Sequence, residues 1–204
     1  DGQCITWDGA EFEPQGEIVL RLIAPGLWYD IQATLQTIAA GEATAEEHYR
    51  LASLYWQLDP PDQPARPGQP DFYAEILSHL LQAQKLDPSF VQVYLDKATL
   101  YLAQAELDDQ GGHHYLSLAS QALGGALAQR PGDSAIRDKL VKTYQQLAVA
   151  TRQQGDYRMA LTYFNKALEF ASADERPQLE ETIQREIEPI YMAWTASLLG
   201  SGQI

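Results

Sequence analysis

The residues of this chain that could do chemistry are four histidines, one cysteine and several clustered carboxylates. His113 and His114 stand beside Asp108 and Asp109, the grouping with most of a metal site's ingredients. Adjacent helical positions, however, point about 100° apart, and residues that share a helix face lie three or four apart. The pair therefore reads as a polar loop and helix start, not as two ligands of one ion. His48 and His79 read as isolated packed or surface residues. Glu180, Glu181, Glu186 and Glu188 could supply acid and base partners, but they alternate with apolar residues as a solvated helix face does. Gly111-Gly112 and Gly124-Gly125 follow no strand and precede no Gly-Lys-Ser/Thr, so neither is a phosphate loop. Gly124-Gly125 falls inside a helical stretch, where close helix contact is its natural use. Cys4 has no recognisable nucleophile setting and reads as an inert thiol. No enzyme, metal or cofactor constellation is expected.

Bulk composition narrows the classes further. The chain has 204 residues, 45% of them apolar, enough to bury a core. Its formal net charge of −14 disfavours nucleic acid as a partner. Cys4 has no second cysteine to pair with. No apolar run reaches the roughly 20 residues of a membrane span. A soluble protein is expected, in the cytoplasm or, if a leader preceded Asp1, in an exported compartment. The charge is uneven. Residues 1–88 hold fourteen acids and four bases. Between Arg130 and Lys166 the sign reverses: Arg137, Lys139, Lys142, Arg152 and Arg158 join those two against Asp133, Asp138 and Asp156. Solvated helix faces account for such a run, as does a local basic surface that receives an acidic segment.

The elements that must position these residues are helical after residue 25. Asp59-Pro60-Pro61, Asp87-Pro88 and Arg130-Pro131-Gly132 break stretches whose apolar residues recur every three or four positions. Caps place helices at 25–40, with Gly41 past its end, and from Thr44-Ala-Glu-Glu47 to about Leu58. Residues 59–70 hold too many prolines for a helix and read as a long exposed loop. Asp71 is expected to cap a helix to about Leu86. Others follow at 89–106, 113–129, 133–153 and 156–171, then one at 175–199 kinked at Pro189. Residues 1–24 read as a small hairpin around Asp8-Gly9 or as an acidic arm. Three segments result: 1–24, 25–173 and 174–204.

A repeat underlies the helices. Ile76, Leu80, Ala83 and Pro88 share the spacing of Ala119, Leu123, Ala126 and Pro131. Ala160, Phe164 and Ala167 repeat it with Ser172 in place of the proline. Earlier in each unit, Leu51-Ala52 with Tyr55, Tyr94 with Ala98 and Tyr101, and Tyr144 with Leu147-Ala148 also correspond. The stretch QQGDYRMALTYFNKALEF, residues 153–170, thus resembles the turn and second helix of a tetratricopeptide repeat. The resemblance covers residues 44–172 as three units, with His48 replacing the family's first aromatic and Lys97 its leucine. It implies an all-α, TPR-like helical-repeat superhelix of antiparallel helix pairs. The stripe Leu179, Ile183, Ile187, Ile190, Trp194 and Leu198 would close it as a capping helix. Pro88 to Pro131 exceeds the family's unit of about 34 residues, so overlong first helices are expected. In the third unit two registers compete, Leu140-Val141 with Tyr144 and Tyr144 with Leu147-Ala148.

The resemblance also implies a non-enzymatic protein-binding scaffold, an adaptor or assembly factor, whose concave groove is lined by the first helix of each unit. Groove candidates are Tyr94, Leu95, Thr99 and Leu102 in the second unit and Arg137, Lys139, Lys142 and Gln145 in the third. The family's carboxylate clamp uses Lys and Asn at set positions. Here Leu95, Thr99 and Leu102 occupy such places, and the single asparagine, Asn165, lies on a second helix. The expected partner is therefore a protein or peptide segment with apolar anchors and acidic residues. The other reading is a permanent subunit of a larger complex, with the first 60 residues and the Pro-rich loop as its interface.

Overall fold

A computed structural model of the chain describes residues 25–41, 43–60, 72–108 and 112–200. The expected hairpin or arm over 1–24, Cys4 within it, Asp71, and residues 61–70 of the Pro-rich loop lie outside these. Regular structure among the described residues is helical: α1 (Pro25–Ala39), α2 (Ala45–Leu58), α3 (Tyr73–Leu86), α4 (Val91–Leu107), α5 (Gly112–Gln129), α6 (Ser134–Gln153), α7 (Tyr157–Phe170) and α8 (Arg176–Gly200).

Local chemistry explains most of the boundaries. Asp133 and Asp156 accept the N–H groups of Ile136 and Met159 at 3.2 and 3.0 Å, capping α6 and α7. Thr44 accepts the N–H of Glu47 at 3.1 Å, while its own hydroxyl donates to the Glu47 carboxylate at 2.6 Å. Gly41 and Gly155 end α1 and α6 in the left-handed region, at φ of 85° and 84°. The expected cap of α3 is displaced. Phe72, not Asp71, precedes its first turn and makes no side-chain cap. Instead the Phe72 N–H donates to the Asp59 carboxylate at 3.2 Å, so the two ends of the Pro-rich segment are tied together. Pro189 lies inside α8, and the helix continues through it.

Helices α2 and α3, α4 and α5, and α6 and α7 form the closest pairs, and each pair packs on the next. Within the first pair Tyr55 meets Phe72 and His48 meets His79. One partner's number rises as the other's falls, so the pair is antiparallel. Every repeat position identified in α3, α5 and α7 is interior: Ile76, Leu80, Ala83, Ala119, Leu123, Ala126, Ala160, Phe164 and Ala167 are all buried. Four apolar clusters follow one another along the chain. Ile31 of α1 joins Leu51, Leu54 and Leu58 of α2. Ala52 of α2, Ile76 and Leu80 of α3 and Val93 of α4 form the second. Ala98, Leu123, Ala126, Ile136 and Leu140 join α4, α5 and α6 in the third. Val141, Ala148, Phe164, Leu179 and Ile183 join α6, α7 and α8 in the last. α8 thus covers the end of the stack through Leu179 and Ile183, with Ile187 packed alongside. The remaining residues of its predicted stripe have side chains outside the description.

The two competing registers of α6 are both correct. Leu140, Leu147 and Ala148 are fully buried and Val141 nearly so, because a 20-residue helix, six residues longer than α2, adds between one and two turns to the same apolar face. The surplus in the second unit is shared by both helices, α4 with 17 residues and α5 with 18, not by the first helix alone.

Gly124 and Gly125 divide the role expected of them. A Cβ on Gly125 would sit 2.6 Å from the ring of Tyr94, whereas one on Gly124 would meet nothing within 4 Å. The Tyr94 hydroxyl is tethered to the Pro88 carbonyl at 2.9 Å, so its ring has little room to retreat. Gly125→Ala should destabilise by about 1–3 kcal/mol through overpacking. Gly124→Ala should stabilise by up to about 1 kcal/mol through helix propensity. Urea midpoints moving in opposite directions for the two variants are the expected result.

Candidate partner-binding face

On α2, α4 and α6 the positions outside the buried core recur at helical spacing: Glu46, Arg50, Ser53 and Gln57; Gln92, Leu95, Thr99, Leu102 and Glu106; Asp138, Lys142 and Gln145, of which Leu95 also packs against the third cluster. All are exposed or half-buried. The stacking consumes the opposite faces, so these three rows are what the first helices of the units offer to solvent. Beside the first two rows, α2 meets the start of α4. Tyr49 lies against Phe90 at 4.9 Å, and Gln92 donates to the Asp96 carboxylate at 2.8 Å. Burial, then Asp96, raises the Tyr49 pKa.

The eight residues singled out in the sequence separate into two groups. Leu95, Thr99 and Leu102 lie in the α4 row; Thr99 is exposed and donates to the Leu95 carbonyl at 3.0 Å. Lys142 and Gln145 lie in the α6 row and line a cleft of about 250 Å³ against α8, with Asp138, Val141, Glu175 and Leu179. Lys139 is exposed one turn before Lys142. Tyr94 and Arg137, both half-buried, also make contacts within the fold. Tyr94 packs on Gly125, and Arg137 donates to the Pro131 carbonyl at 3.1 Å, bracing the turn into α6.

Charge on this face is less one-sided than the run of bases suggests. Asp138 and Glu175 share the cleft with Lys142. Glu175 is partly engaged, accepting the Ser172 hydroxyl at 2.8 Å. Arg152 leaves the basic surface altogether. Its guanidinium lies 2.6 Å from Glu186 of α8, with both side chains about a third exposed or less. Glu186 Oε2 is buried without a donor in hydrogen-bonding alignment, so the contact is a charge pairing. Glu186 is therefore a tie between α6 and α8, which corrects its reading as part of a solvated face.

Two further features escaped the sequence. His48 and His79 are not isolated: their Nδ1 atoms lie 3.0 Å apart. The signal was present, because His48 is four residues before Ala52 and His79 three after Ile76, and those positions face each other in the antiparallel pair. Tyr144 of α6 is stacked between Tyr163 and Phe170 of α7, at 6.3 and 5.9 Å. Lys166 Nζ lies 5.5 Å from the Tyr144 ring and 5.8 Å from that of Tyr163. Burial is the main cause raising the Tyr144 pKa.

Asp108 and His113 line a hollow of about 360 Å³ with Gln153 and Gln154. Among the described residues no three His, Cys, Asp or Glu side chains are grouped to hold a metal. No described helix is long and apolar enough to cross a membrane.

Residues 141–174 match the family model described as tetratricopeptide repeat, the span that contains most of α6, its turn and α7. No curated protein sequence matches the chain. Two solved structures are similar in outline. "Crystal structure of MamA" is 21% identical with a TM-score of 0.39, covering 69% of this chain and 66% of that one. "Crystal structure of MamA protein" is 20% identical with a TM-score of 0.41, covering 72% and 64%. The chain thus spans just under two thirds of the length of the solved chains it matches.

The Arg152–Glu186 tie is separable from the packing around it. In a double-mutant cycle with Arg152→Ala and Glu186→Ala, a coupling of about 0.5–1 kcal/mol is expected, decreasing in high salt. Thermal unfolding of the four proteins at low and high salt measures it.

Proposed function

We propose that this chain, whose residues 141–174 are a tetratricopeptide repeat, is a non-enzymatic scaffold that holds a protein segment along the rows of α4 and α6. Tetratricopeptide repeats are protein-interaction modules, and an adaptor or assembly role follows from that mode of action. The observation that carries this reading is the juxtaposition of unlike rows. Leu95, half-buried against the third cluster, and half-buried Leu102 give α4 an aliphatic edge around exposed Thr99, while α6 places Lys139 and Lys142 in solvent. Neither lysine takes part in an ion pair among the described residues. A segment with apolar anchors and acidic residues is complementary to both rows. The leucines would supply desolvated contact, the lysines on-rate and register. Gln145 and the cleft beside α8 extend the same surface, where Gln178 and Thr182 add neutral hydrogen-bonding groups next to Asp138 and Glu175.

A second reading, a permanent subunit of a larger complex, is favoured by the first end of the stack. There α1 exposes the adjacent aromatics Trp28 by 48% and Tyr29 by 73%, surface that a permanent partner would cover. A soluble, monomeric, cooperatively unfolding chain supports the scaffold reading, and insolubility without a partner supports the subunit.

Selection from a displayed peptide library, followed by chemical-shift mapping of the winners, tests the scaffold reading. Peptides rich in acidic and large apolar residues should perturb α4 and α6. Lys139→Ala with Lys142→Ala should weaken them about fivefold to tenfold and flatten the salt dependence of their affinity. Peptides that map to α3, α5 and α7 instead, or affinities indifferent to both lysines, would reject it.

A further inference from the structure

Two histidines meet inside the first helix pair. His48 of α2 is 9% exposed, and its Nδ1 lies 3.0 Å from Nδ1 of half-buried His79 on α3. The rings stack with centroids 5.3 Å apart, and Tyr55 covers His79 from α2 at 6.0 Å. An Nδ1–Nδ1 contact of this length is a hydrogen bond only while one nitrogen carries a proton and the other does not. A first added proton leaves one donor and one acceptor but places a charge in the packing. A second makes both nitrogens donors and leaves two cations face to face.

Little around the pair relieves that charge. On α2 the nearby carboxylate is Glu47, already held by the Thr44 hydroxyl at 2.6 Å. On α3, Glu75 acts on Tyr55. From α4, Lys97 is itself a buried cation whose Nζ donates to Gln84 of α3 at 2.6 Å. Asp96 of α4 is engaged with Gln92 and Tyr49. Asp30 of α1 is paired with Arg50 at 3.7 Å. Among the described residues no carboxylate hydrogen-bonds either imidazole.

We propose that His48 and His79 form a proton-operated latch. The neutral pair closes α2 on α3, and protonation of both rings opens the first helix pair while the later pairs stay folded. The packing makes a local opening possible. The cluster around Ala52, Ile76 and Leu80 reaches no further than α4, and those of α4–α6 and α6–α8 are separate. In such a stack each unit contacts only its neighbours, so an end unit can open by itself. Burial lowers the pKa of both rings from the ordinary 6.5, and for His79 the neighbouring His48 lowers it further. The folded pair therefore prefers to be neutral. The latch is complete above pH 6.5 and fails as pH falls below it toward the lowered values. Ordinary carboxylates stay ionised down to about pH 5, which leaves the His48–His79 pair as the group that changes inside the first helix pair in that window. His113 and His114, both exposed on α5, serve as the internal control. The latch stands independently of which face binds a partner.

Hydrogen exchange read by mass spectrometry on the full chain, at about pH 7.5 and about pH 5 and corrected for intrinsic rates, tests it. Protection over residues 45–86 should fall about tenfold or more at the lower pH, while residues 112–170 change by about twofold or less. His48→Phe with His79→Leu should abolish the difference, and His113→Asn with His114→Asn should leave it intact. If the apolar pair misfolds, His79→Gln, neutral at both pH values, should abolish it instead. Loss of protection spread evenly over all helices, or loss that persists in His79→Gln, would overturn the proposal. So would zinc chloride tightening residues 45–86 about tenfold at the higher pH, since the pair would then be a metal site.

Discussion

The stacked helices α2 to α7 depend on how closely they approach at a set of alanines. Ala52, Ala83, Ala98, Ala119, Ala126, Ala148, Ala160 and Ala167 are each 1% exposed or less. A larger side chain at any of them would hold neighbouring helices apart and uncover the leucines and the phenylalanine between them. Close approach alone is insufficient, because one helix pair has too little apolar surface to bury. The solution is to use each first helix twice. α2, α4 and α6 each contribute residues to two successive clusters, so every pair is completed by the next and α8 completes the last.

The one-dimensional arrangement also explains the polar residues tolerated inside. Thr34, Thr143 and Thr151 are buried, and each returns its hydroxyl to the carbonyl four residues earlier, at 2.8, 2.8 and 2.7 Å. Lys97 is a harder case. It occupies a position where the repeat pattern has leucine, and its stem packs between the first two pairs while Nζ reaches Gln84. Burial lowers its pKa. Such a substitution strains one junction rather than a shared core, which is how Lys97 and the histidine pair coexist with an otherwise apolar stack.

Helix length then shapes the solvent-facing side. The first helices grow from 14 residues in α2 to 17 in α4 and 20 in α6, from about 21 to about 30 Å at 1.5 Å per residue. The extra turns of α6 carry Arg152 to its last turn, where it meets Glu186. Its exposed row faces α8 across the cleft at Lys142. Length that begins as an irregularity of the repeat thus creates both the tie that holds the end of the stack and the recess beside it.

Much of this was legible in the sequence because packing at period 3.6 leaves a record in residue types. The helices, the glycine turns and the buried repeat positions follow from local spacing, whereas the cap expected of Asp71 does not. Ala160, Phe164 and Ala167 with Gly155 and Asp156 are the clearest instance. What spacing could not supply is which surface residue meets which across elements. Arg152 and Glu186 are 34 positions apart and carry no local signature, while His48 and His79, 31 apart, are matched only once the antiparallel register of α2 and α3 is known. Tyr94 and Arg137 were groove candidates by the resemblance alone, which says nothing of the contacts they make within the fold. The structure turns one onto Gly125 and the other back to Pro131. The sequence by itself determined that the chain stacks helices, since burial at close approach is written one residue at a time. Only the tertiary structure decided which charges and imidazoles are paired, because pairing depends on the register between helices and on how deeply each pair is withdrawn from water.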